Sequence, residues 1–151
     1  MQKIDLNQLK KLREETQASV ADCRRALEET NGDYRKALEW IRKHGIEKAG
    51  KKEGRETKAG VVESYTHHNL TSGSTVVLTC ETDFVGRTEE FKNLAHEIAM
   101  QVNALNPKDV KALLSSAYIR DEKKTIQELI KEFIAKLGEN IEVKEFKRFE
   151  V

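Results

Sequence analysis

Ser74-Thr75-Val76-Val77-Leu78-Thr79-Cys80 runs into Glu81-Thr82-Asp83-Phe84-Val85, and shortly after it Thr88-Glu89-Glu90-Phe91 starts a new pattern. The first run is short and rich in β-branched residues, which predicts a buried strand, while the last reads as a helix start. Asp83 and Phe84 are therefore expected at a strand-to-helix turn, and a strand feeding a helix fixes this half of the chain as α+β. A phenylalanine in such a turn commonly folds back onto its own core. An acidic residue beside an apolar anchor also fits a binding hot spot, in which case something outside the fold takes Phe84.

Upstream of the turn, Val61-Val62-Glu63-Ser64-Tyr65, the turn residues Asn69 to Gly73 and the return through Val76 to Cys80 have the spacing of a hairpin. Downstream, Phe91, Leu94, Ala95, Ile98, Val102 and Leu105 form one helical stripe, stopped by Asn106-Pro107. Residues 108–124 match neither period. Thr125 to Glu128 is a capping box opening a helix with Ile126, Leu129, Ile130, Phe133, Ile134 and Leu137 on its buried face, and Gly138 ends it. The tail alternates in two registers, Ile141 and Val143, then Phe146, Phe149 and Val151, which predicts a terminal strand with a bulge near Lys144-Glu145.

The amino-terminal third differs. Ile4, Leu6, Leu9 and Leu12, then Val20, Cys23, Ala26 and Leu27, then Tyr34, Ala37, Leu38 and Ile41 give three helical periods in succession. Ser19 caps the second helix, and Asn31-Gly32-Asp33 supplies a left-handed stop and an acidic cap for the third. From Arg42 to Lys58, glycines alternate with lysines and arginines, which reads as a solvated, partly helical connector. The expected organisation is a three-helix domain over 1–45, a basic linker over 46–58 and an α+β core over 59–151, a small antiparallel sheet covered by two helices.

At 151 residues, with 38% hydrophobic and 35% charged residues, the chain can build a core under a heavily charged surface. A net charge of +1 provides no global field for nucleic acid. Cys23 and Cys80 lie in different segments and form neither a disulfide framework nor a CxxC pair, so a reducing cytoplasm is expected. The polar amino terminus lacks the apolar stretch of a signal peptide, and no run reaches membrane-spanning length.

The search for chemistry is mostly negative. Gly45 to Lys51 approximates a phosphate-binding loop, but a helix is expected before it and Lys52 stands where serine or threonine should hold magnesium. His67 and His68 are adjacent on a predicted strand, which sends them to opposite faces and rules out a shared metal. Glu81 and Asp83 have no nucleophile or base near them in sequence. No cofactor or covalent step is called for, so the chain is expected to act by binding and not as an enzyme. The connector is diluted by Glu47, Glu53 and Glu56 and lacks aromatic residues for base stacking, so no direct nucleic-acid contact is expected.

Several segments, in order, resemble the elongation factor Ts family. Leu9 to Thr16, Asp22 to Leu27 and Asn31-Gly32-Asp33 look like its amino-terminal domain, which is similar to ubiquitin-associated modules. Cys80-Glu81-Thr82-Asp83-Phe84-Val85 and Lys136-Leu137-Gly138-Glu139-Asn140-Ile141 look like the two signature segments of its core. The resemblance implies a cytoplasmic guanine-nucleotide exchange factor for elongation factor Tu. It assigns partner contacts to Thr82, Asp83, Phe84 and Val85, with Phe84 wedged near the partner's magnesium site, and to Leu137 and Gly138. It places Val20 and Ala21 where many members carry a methionine pair that touches the same partner domain. Valine and alanine offer less adaptable apolar surface than methionine, which weakens that contact or requires a matching change in the partner. Val85 is expected to pack inward against the next helix. Short members of the family pair, and a terminal strand with a free sheet edge would suit a homodimer. Two other readings of the residues are a helical adaptor for a ubiquitin-like or nascent-chain partner, and an RNA-binding accessory protein acting through residues 42–58.

Overall fold

A computed structural model describes residues 3–151. Helices α1 (Leu6–Thr16), α2 (Val20–Glu29) and α3 (Tyr34–Gly50) come first. Asp5, Ser19 and Asp33 cap them by accepting from the amides of Asn7, Asp22 and Lys36. Leu12, Cys23, Ala26, Leu27 and Ala37 are buried between the three, and Leu9, Tyr34, Leu38 and Ile41 pack around them. Gly32 takes the left-handed conformation, with φ of +78°, that lets α2 stop and α3 begin within a few residues.

Asp22 ties α2 to α3. Its Oδ2 accepts from Lys48 Nζ at 2.7 Å and from Ser19 Oγ at 2.8 Å, and His44 Nε2 lies 3.7 Å from Oδ1. Partial burial pushes this carboxyl up, but the hydrogen bonds from Lys48 and Ser19, with the charges of Lys48 and His44, outweigh it and hold Asp22 below the ordinary carboxylate value. A lowered folded-state pKa stabilises the protein above the unfolded value of about 3.9 and ceases to do so as pH falls through the folded value. Asp22→Asn is therefore expected to cost about 1 kcal/mol at pH 7, an estimate kept low because Lys48 is half exposed. Its deficit against wild type in denaturant titrations should shrink below about pH 4.

The boundary expected at residue 45 falls inside α3, which continues unbroken to Gly50. Two packing contacts explain the extension. Gly45 faces Ala135, where a Cβ would stand 3.3 Å from the alanine's own, and Ala49, 2% exposed, is buried in the core of the second unit. The segment that only approximates a phosphate loop is thus helix through Gly50, and the chain then enters the turn at residues 51–54.

Strands β1 (Ala59–Thr66) and β2 (Ser72–Cys80) form the expected hairpin. The one-turn helix α4 (Asp83–Gly86), α5 (Glu89–Leu105), α6 (Val110–Ser115), β3 (Ala117–Tyr118), β4 (Asp121–Thr125), α7 (Ile126–Leu137) and β5 (Ile141–Glu150) complete the chain. The main sheet is antiparallel in the order β1-β2-β5, and α5 and α7 cover its inner face, so the fold is α+β. Val76, Leu78, Cys80, Ile141 and Val143 meet Phe91, Leu94, Ile98, Val102, Ile126 and Ile130 in one core. Val77 pairs with Glu145 and Leu78 with Val143, leaving Lys144 as the extra residue of a bulge. That bulge turns Ile141 and Val143, then Phe146, to the same inner face across a change of register.

Residues 108–124 form α6, capped by Asp109, and the small β3–β4 hairpin. Gln101 pins this region from inside the α5 stripe: Nε2 donates to the Ala117 carbonyl at 2.7 Å and Oε1 accepts from the Ile119 amide at 3.0 Å. Of the capping box at α7, one half is made, with Thr125 Oγ1 accepting from the Glu128 amide. The Glu128 carboxylate instead receives Arg42 Nη2 at 3.0 Å, joining α7 to α3.

Candidate partner-binding site

β2 ends at Cys80 because Glu81 and Thr82 lead out of the sheet, and Thr82 then caps α4 by accepting from the Val85 amide. In so short a helix the side chains diverge sharply. Val85 points inward at 6% exposure, whereas Phe84 stands out at 84%, and Thr82 and Asp83 are exposed beside it. Gly86 is buried against Gly60 of β1 and the Cys80 sulfur. Burial, reinforced by the Glu139 charge, raises the Cys80 thiol, which stays neutral and donates to the Thr82 carbonyl at 3.2 Å.

The second signature segment lies directly behind this turn. Gly138, with φ of +81°, is the left-handed cap of α7, and the chain reverses there to enter β5. Glu139 reaches Thr82, its Oε1 accepting from the Thr82 amide at 2.9 Å and its Oε2 from Thr82 Oγ1 at 2.7 Å. Glu81 reaches back, its Oε1 accepting from the Asn140 amide at 2.8 Å. The connector joins in: Lys52 Nζ donates to the Gly138 carbonyl at 2.7 Å, Asn140 Nδ2 donates to the Arg55 carbonyl at 2.8 Å, and Arg55 Nη1 lies 3.7 Å from Glu81 Oε1. Leu137 is half-buried against the core while Gly138 is exposed.

The structure thus brings Thr82, Asp83, Phe84 and Val85 together with Leu137 and Gly138. Val20 and Ala21 sit elsewhere, exposed on the first turn of α2, and no hydrogen bond or ion pair among the described residues joins them to the turn. Glu139, Asn140, Lys52 and Arg55 carry the site's polar framework, and sequence reasoning assigned none of them a role. Their signal is faint: an acidic side chain just past a helix cap, facing backbone amides left free at a strand end.

The histidines depart from expectation. β1 ends at Thr66, so strand alternation does not reach His67 and His68, and their rings lie 4.2 Å apart rather than on opposite faces. Tyr65 Oη and His67 Nδ1 are 3.0 Å apart. Among the described residues no three histidine, cysteine or acidic side chains are grouped to hold a metal, and no helix is long and apolar enough to cross a membrane.

The family profile described as elongation factor TS matches residues 81–151, which take in the first signature segment from Glu81 onward and the whole of the second. The elongation factor Ts of Rippkaea orientalis is 40% identical to this chain, the alignment covering 99% of the chain and 78% of the relative. That of Fervidobacterium nodosum is 37% identical over 98% of each, and that of Thermotoga maritima 39% identical over 98% of this chain and 96% of its own. These alignments run over 195, 193 and 191 positions against a chain of 151 residues, so the relatives carry residues with no counterpart here. With overall identity at this level across nearly the whole chain, the chain belongs to the elongation factor Ts family, whose work is translation elongation.

Proposed function

We propose that the chain is a cytoplasmic guanine-nucleotide exchange factor that binds elongation factor Tu carrying GDP and promotes GDP release. The observation that carries this reading is Phe84, exposed almost completely on a turn whose backbone is held from behind. A large aromatic side chain left in water on a fixed mount is a hot-spot anchor awaiting a pocket. In the proposed complex Phe84 enters the nucleotide-binding domain near its magnesium site, Asp83 engages polar groups at the rim, and Leu137 and Gly138 line the same contact. Val20 and Ala21 supply a second, smaller apolar contact from α2.

No covalent step is needed and the chain works as a ligand, not as an enzyme. Burying the phenyl ring yields a few kcal/mol, enough to shift a metal-binding loop between two states. Linkage then requires reciprocity: a chain that weakens GDP binding is itself bound less tightly when GDP is present, by the same factor. The test adds the chain to elongation factor Tu loaded with fluorescent GDP. Accelerated release, with GDP competing against chain binding, supports the reading, and an unchanged release rate overturns it.

The reading includes a homodimer formed through the sheet. β1 and β5 are its two edges, and Val62 and Phe149, 68% and 63% exposed, stand on the face turned away from α5 and α7. Multi-angle light scattering is expected to show a dimer; a monomer alone at micromolar concentration would remove this part of the reading. Nucleic acid has no place in it.

A further inference from the structure

We propose that Glu139 is a positioning residue for Phe84, holding the turn in the orientation that drives nucleotide release, with Glu81 completing the mount from the opposite side. The inference rests on the exchange reading above and concerns how the wedge is aimed.

Helix α4 has four residues, too few to hold its own geometry, since one hydrogen-bonded turn does not offset the cost of nucleating it. Its orientation must come from outside. Glu139 supplies it by gripping the residue where α4 begins, one oxygen on the Thr82 amide and the other on the Thr82 hydroxyl. Because that hydroxyl gives its proton to Glu139, its lone pairs face the Val85 amide, which it accepts at 3.4 Å. One carboxylate thus fixes the cap residue and, through it, the first turn that carries Phe84.

The mount is reciprocal. Glu139 takes an amide from the first segment, and Glu81 takes the Asn140 amide from the second, so each segment satisfies a backbone donor of the other with a charged acceptor. Asn140 is buried, and its side chain bonds the Arg55 carbonyl, while Lys52 holds the Gly138 carbonyl. The connector from α3 is thereby fastened to the base of the wedge, and Lys52 and Arg55 bring positive charge to a site with three acidic side chains, Glu81, Asp83 and Glu139.

A freed turn would leave Phe84 present but poorly aimed. Aim matters most at the step where the ring must displace a particular loop, while encounter draws also on contacts elsewhere, so its loss should appear in the maximal rate of release more than in the half-saturating concentration. Glu139→Ala is expected to lower maximal GDP release from elongation factor Tu by roughly tenfold while the half-saturating concentration stays within about twofold. Glu139→Gln should retain most of the rate, because its amide oxygen accepts from the Thr82 amide and its NH2 donates to the Thr82 hydroxyl. Thr82→Ala combined with Glu139→Ala should cost less than the sum of the two, because they share the hydroxyl–carboxylate bond, and more than Thr82→Ala alone, which keeps the bond from the Thr82 amide.

Hydrogen exchange of the chain without its partner provides a second measurement. The Thr82 amide should exchange faster in Glu139→Ala while amides of α5 and β2 keep their protection. Full maximal release by Glu139→Ala, in an assay where Phe84→Ala loses it, overturns the positioning role and leaves the exchange reading standing. Equal Thr82 exchange in wild type and Glu139→Ala overturns it whether or not the wild-type chain releases nucleotide. A loss that Glu139→Gln shares in full, together with a lower melting temperature, assigns Glu139 to the fold instead and likewise overturns it.

Discussion

Phe84→Ala is expected to lower the maximal rate of GDP release from elongation factor Tu by roughly thirtyfold or more while leaving the chain as stable as wild type. The two halves of that expectation come from the same observation. At 84% exposure Phe84 gives the fold almost no packing, so its truncation falls among surface substitutions that change stability by at most about 0.5 kcal/mol. An aromatic anchor that fills a partner's pocket costs about 2 kcal/mol or more when removed, and each 1.36 kcal/mol of barrier is about tenfold in rate. The measurement is stopped-flow release of fluorescent GDP across a range of chain concentrations, beside a thermal melt. A variant that melts with wild type and still releases nucleotide at the wild-type rate would remove Phe84 from the mechanism, and the carrying observation with it.

Such a clean separation of stability from activity was partly legible in the sequence. The β-branched run to Cys80 and the helix start at Thr88 located the turn, since both signals are local and each has its own period. The bulge at Lys144 was legible for the same reason: two apolar registers one residue apart must be joined by an extra residue if both face one core. What period could not show was the mount. Glu139 and Thr82 are 57 residues apart, and a side-chain bond to a backbone amide leaves no pattern in either segment. Glu81, for which the sequence offered no partner, has its carboxylate occupied by the Asn140 amide.

The third helix runs past residue 45 for a related reason. Glycine and lysine between 45 and 54 look like a connector on propensity, because glycine is a poor helix former. Tertiary packing overrides that preference: Gly45 is small enough to bring α3 against Ala135, and Ala49 fills the core beyond. Residues 108–124 were opaque because their order depends on one buried glutamine of α5, whose amide is satisfied by the chain it pins. His67 and His68 illustrate the limit of alternation, which holds only while the strand lasts.

Gly60→Ala should produce the reverse of Phe84→Ala, a loss of stability first and of activity as its consequence. Gly60 lies in β1 opposite Thr79 with φ of +150°, a conformation that side-chain-bearing residues rarely adopt. A Cβ there would stand 2.2 Å from the Leu78 carbonyl oxygen and 2.8 Å from Thr79 Cα, both backbone atoms of the central strand that cannot swing aside. Backbone strain and overpacking each cost of order 1–3 kcal/mol, so a destabilisation of about 3 kcal/mol is expected. For a chain of this size that corresponds to a melting temperature lower by roughly 10 °C. The damage is also placed where it matters. Gly86 of α4 rests on Gly60, so closely that a Cβ on Gly86 would stand 3.6 Å from the Gly60 nitrogen, and the strand that must give way is the floor beneath the wedge. Because β1 is an edge strand bonded only to β2, its first pairs can separate while the α5 and α7 layer holds. Hydrogen exchange should then show β1 and the α4 turn opening together, with maximal nucleotide release reduced although Phe84 is intact. A melt within about 2 °C of wild type would show that the strand accommodates the methyl group, and would break the link drawn between this glycine and the turn.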